Sequence, residues 1–73
     1  MKLPSTSGIK LAKALGKLGF EIDHQTGSHF ILRLKEKPFT RLTVPNHKTI
    51  AIGTLLAIMR QAGISREELQ NLL

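Results

Sequence analysis

Cysteine is absent from this 73-residue chain, and with it go disulfides, a thiol nucleophile and any cysteine-built zinc site. Tryptophan and tyrosine are absent too, and three phenylalanines are the only aromatics, so the stacking platforms that hold single-stranded nucleic acid are disfavoured. No run is apolar enough to span a membrane and no apolar signal segment is evident, which leads to the expectation of a soluble, cytoplasmic protein. Acidic residues are scarce. Five Asp and Glu stand against eleven Lys and Arg, giving +6, and the first twenty residues contain no acid. A domain this small buries only about 60% of its unfolded surface, so residues 1–73 are read as one domain with one modest core. Its excess charge points to a polyanionic partner, either nucleic acid or an acidic protein.

What is present falls into ordered segments without a repeat, linker or low-complexity tract. Ser5-Thr6-Ser7 offers three candidate caps for a first helix, whose apolar positions are Ile9, Ala12, Leu15 and Leu18, with Lys10, Lys13 and Lys17 on the polar side. Gly19 stops it, and Phe20-Glu21-Ile22-Asp23 begins an alternating strand. The turn Gln25-Thr26-Gly27-Ser28 leads to a second strand in which Phe30, Leu32 and Leu34 face the core and His29, Arg33 and Lys35 share the other side. A loop from Lys35 to Pro38 precedes a third strand, Arg41 to Val44, ended by Pro45. From about Ile52 a helix carries Leu55, Leu56, Ile58, Met59 and Ala62 on one stripe and stops at Gly63. Ser65-Arg66-Glu67-Glu68 is a capping box opening a short last helix. The expected class is α+β: helix, three-stranded antiparallel meander, helix and terminal helix, with one sheet face open to water.

The chemistry concentrates at Gly27-Ser28-His29. An outward histidine after a tight turn, in a basic setting, suits proton transfer on an anionic substrate, and RNA is the natural one. Gly27 serves the turn, while Ser28 bonds its own backbone or a phosphate; no local base and carboxylate would make it a nucleophile. His47, beside Lys48, is either a second acid or phosphate contact or a loop histidine that caps the following segment. His24 has the parity of Phe20 and Ile22 and is read as structural, on the buried side. By that parity His24 and His29 face each other only if a bulge intervenes, so neither a metal site nor any other cofactor is expected.

Several ordered pieces together resemble the HicA, or YcfA-like, family of bacterial toxins. They are Leu3-Pro4, Leu18-Gly19-Phe20, Gly27-Ser28-His29, Val44-Pro45-Asn46-His47, Gly53-Thr54-Leu55 and Ile64-Ser65, covering nearly the whole chain. Two places depart from the family pattern: the short segment from Lys35 to Thr40, and Ala51-Ile52 where more basic residues are common. The resemblance implies a fold like that of double-stranded RNA-binding domains. It also implies a messenger-RNA endoribonuclease silenced by a HicB-like antitoxin, with His29 the catalytic histidine. Arg33 and Lys35 on the strand, Ser28 and Lys48 near it, and Lys10, Lys13 and Lys17 on the helix are the candidate RNA contacts. The expected states are a free monomer and a hetero-oligomer with the antitoxin. The competing expectation is a non-catalytic module that recognises double-stranded RNA by shape.

Overall fold

The computed structural model describes residues 3–73. Its elements are α1 (Gly8–Gly16), β1 (Phe20–Thr26), β2 (His29–Leu34), β3 (Arg41–Pro45), α2 (Ile52–Ala62) and α3 (Arg66–Leu72). The sheet is an antiparallel meander in the order β1-β2-β3. This is the expected α+β order, and it is consistent with the double-stranded RNA-binding-domain type of fold.

Strand parity decides where the core lies. Phe30, Leu32, Leu42 and Val44 are buried and cluster with Leu11, Leu15, Leu55, Ile58, Met59 and Leu69, so the helices cover one face of the sheet. The alternate residues His29, Arg41 and Thr43 are exposed, and Ile31 and Arg33 are half-buried on the uncovered face. Burying these aliphatic side chains is the main favourable term, at roughly 1.5–3 kcal/mol for each fully buried one.

Three sequence expectations shift. Ser7, of the three candidates, caps α1, its Oγ accepting from the Lys10 amide at 3.2 Å. The buried stripe of α1 is centred on Leu11 and Leu15 rather than on Ile9 and Leu18, which are 51% and 37% exposed. Ile9 sits at the open edge of the helix, and Leu18 lies beyond its end at Gly16. β1 runs on to Thr26, so the turn contracts to Gly27-Ser28.

α2 ends at Gly63, whose amide donates to the Arg60 carbonyl while that of Ile64 donates to Met59. The Ser65 capping box forms as expected: Ser65 Oγ accepts from the Glu68 amide at 3.1 Å, and Glu68 Oε1 accepts from the Ser65 amide at 3.1 Å. α3 spans only seven residues, too few to persist without its cap and the fully buried Leu69. Ser65→Ala is therefore expected to cost about 1 kcal/mol, read as a lower urea midpoint at unchanged slope.

Candidate nucleic-acid interface

His29 stands at the head of β2, exposed, where the chain leaves the Gly27-Ser28 turn. Thr26 pairs with His29 across that two-residue connection, and Gly27 takes the positive φ of 28° that the turn requires. Ser28 Oγ lies 3.3 Å from His29 Nδ1 and holds that edge of the ring.

The surroundings of His29 are fixed by backbone. Pro45 pairs with it on β3, and the Asn46 amide donates to the Ser28 carbonyl at 2.7 Å. The Gly8 amide donates in turn to the His47 carbonyl at 2.9 Å, and the Ile50 amide to Thr6 at 2.9 Å. Turn, β3 exit and the start of α1 are thus laced together at one end of the sheet. Gly8 permits this closeness: a Cβ there would overlap the carbonyl oxygen of Pro45. His47 and Lys48, both exposed, belong to this end through that loop.

The other basic strand residues do not. A strand rises about 3.3 Å per residue, so Arg33 lies roughly 13 Å from His29 and Lys35 roughly 20 Å. They share its side of the sheet in sequence parity but lie too far along it to act on the same small group. Arg33 pairs with Arg41 on β3 and with Glu21 on β1, and its Nε is shielded from solvent without a hydrogen-bond partner. Lys35 lies just past the end of β2, where its amide donates to the Gly19 carbonyl at 3.0 Å.

His24 is the main correction. The β1 register pairs Ile22 with Leu32 and then His24 with Ile31, so Asp23 is an extra residue in a β-bulge. Beyond the bulge the parity inverts, and His24 lies on the open face with Ile31 and His29 instead of on the buried side. Its Nδ1 is 3.1 Å from Asp23 Oδ2. That hydrogen bond, with the positive charges of Arg33 and Arg41 behind it, holds the Asp23 carboxyl below its usual value. The only cue in the sequence is the poor strand propensity of Asp23.

Lys10, Lys13 and Lys17 lie apart from these groups, on the helix layer. They line a groove between the segment Pro4 to Thr6 and the C-terminal Leu72 and Leu73. Lys17 Nζ donates to the Leu72 carbonyl at 2.8 Å, which ties α1 to the end of α3. Among the described residues no group of three or more His, Cys, Asp or Glu is placed to hold a metal ion, and no helix is long and apolar enough to cross a membrane.

Residues 8–64 match the family model described as HicA toxin of bacterial toxin-antitoxin. The search of curated proteins gives no match.

Proposed function

Since the chain belongs to the HicA toxin family of bacterial toxin-antitoxin systems, which implies a cognate antitoxin, we propose that it is a messenger-RNA endoribonuclease with His29 as its acid-base residue. The observation that carries this reading is the exposed His29, its Nδ1 held by Ser28 and its Nε2 presented at an end of the sheet braced by α1 and the β3 exit. Cleavage without a metal proceeds by attack of the 2′-oxygen on the adjacent phosphorus. His29 takes up the 2′-hydroxyl proton, and the product strand ends in a 2′,3′-cyclic phosphate. The protein acts as one domain in the cytoplasm, a monomer until a HicB-like antitoxin covers its basic surface.

Expression of the chain is expected to arrest growth unless the neighbouring antitoxin gene is co-expressed, and His29→Ala is expected to abolish the arrest. Arrest of equal depth by the alanine variant would refute the assignment of His29.

The lysine groove supports a second reading, a module that only binds double-stranded RNA. Each phosphate contact contributes about 0.7–0.9 to the slope of log affinity against log salt. Lys17 already donates to Leu72, so replacing Lys10, Lys13 and Lys17 together by alanine is expected to reduce that slope by about two. An unchanged slope in a filter-binding titration removes the groove from RNA recognition. Tight, salt-dependent binding without cleavage would favour the second reading over the first.

A further inference from the structure

The cleavage proposed above needs two proton transfers, one from the 2′-hydroxyl and one to the departing 5′-oxygen. His29 performs one of them. The pairing of Thr26 with His29 and of His24 with Ile31 makes the two histidines diagonal neighbours on one sheet face. Such neighbours lie about 7–8 Å apart, within reach of aromatic and long side chains. That separation suits two imidazoles, each hydrogen-bonded at about 3 Å to opposite oxygens of one phosphodiester. Asp23 Oδ2 engages His24 Nδ1 at 3.1 Å, which fixes the ring and turns Nε2 away from the carboxylate. The side chain of His24 is 53% exposed, so a substrate can reach it.

We propose that His24, oriented by Asp23, is the second proton-transfer group: the general acid to the general base His29. This rests on the ribonuclease reading. His29 Nε2 takes the 2′-hydroxyl proton as the 2′-oxygen bonds to phosphorus. The bond from phosphorus to the 5′-oxygen breaks, and His24 Nε2 gives its proton to that oxygen. The products are a 2′,3′-cyclic phosphate and a 5′-hydroxyl, and both imidazoles reset by exchanging protons with water. His24 suits the acid, because a ring protonated on both nitrogens gives one N–H to Asp23 and presents the other. Asp23 is a positioning residue. The other charged groups on this face are Glu21 on β1, Arg33 on β2, Arg41 on β3 and, past the end of β2, Lys35; Arg33 and Arg41 bring positive charge to the Asp23 carboxylate.

The test uses the full chain with two substrates: an RNA oligonucleotide, and uridine 3′-(4-nitrophenyl phosphate), whose leaving group departs without protonation. His24→Ala is expected to slow RNA cleavage by about 10²-fold or more and to remove the alkaline limb of the kcat/KM pH profile. It is expected to leave the nitrophenyl ester within threefold of the unaltered chain. Asp23→Asn is expected to lower kcat on RNA about tenfold while KM and the ester rate hold. His29→Ala loses both substrates. A His24→Ala variant that keeps its RNA rate, or loses both substrates equally, overturns the assignment of the acid, as does His47→Ala removing the alkaline limb instead. Full cleavage by His29→Ala, or none by the unaltered chain, overturns the ribonuclease reading itself.

Discussion

Alanine at position 29 is expected to slow RNA cleavage by about 10²–10⁴-fold while the protein remains folded. The size follows from removing a proton-transfer group from the metal-independent cleavage proposed above. The specificity follows from where the side chain sits. His29 is exposed, its strand pairing is made by backbone, and truncation costs only the contact with Ser28 Oγ, so the change in stability should stay within about 0.5 kcal/mol. Affinity for RNA should change little. Glutamine at 29 retains hydrogen bonding without proton transfer and is expected to be as inactive as alanine. Single-turnover cleavage, followed beside a urea denaturation of each variant, makes the comparison. A glutamine variant with near-normal rates would mean that His29 only binds.

Gly8→Ala should produce the largest loss of stability among the substitutions considered, about 3 kcal/mol. No side chain lies in the way: the obstacle is the carbonyl oxygen of Pro45, with the Asn46 backbone next to it, and neither can rotate aside. The added methyl therefore forces α1 away from the β3 exit and breaks the hydrogen bond from the Gly8 amide to the His47 carbonyl. Against a total of roughly 5–15 kcal/mol for a natural domain this is a large fraction, and the urea midpoint should fall accordingly. The same displacement unfastens the loop beside His29, so activity should decline even where the variant is still folded. A midpoint within error of the unaltered chain would show that the α1 and β3 junction adapts.

Both predictions depend on features of unequal visibility in the sequence. The alternation of β2 and β3 was readable because Phe30, Leu32, Leu42 and Val44 occupy a strict period of two, and it placed His29 on the open face correctly. The Ser65 capping box was readable because its spacing is local. A period of two fails in β1 after Ile22, since a bulge adds a residue without interrupting the polar composition, and the parity of His24 inverts with it. Parity groups Arg33 and Lys35 with His29 because it reports a side and says nothing of length along the strand. The bracing of His29 by Gly8, Asn46 and His47 is formed by backbone groups far apart in sequence, and no periodicity marks it.

The bulge at Asp23 also bears on how the molecule behaves in a crowded solution. β1 is one of the two outer strands of the meander and presents a row of backbone donors and acceptors on its outer side, beside the exposed Ile22. A straight edge of that kind is a template on which a second chain can add a strand, the first step towards aggregation. The extra residue bends the strand midway and puts successive edge groups out of line, with Asp23 and His24 at the bend. Deleting Asp23 would straighten the edge, and such a chain should self-associate at concentrations where the natural one stays dispersed.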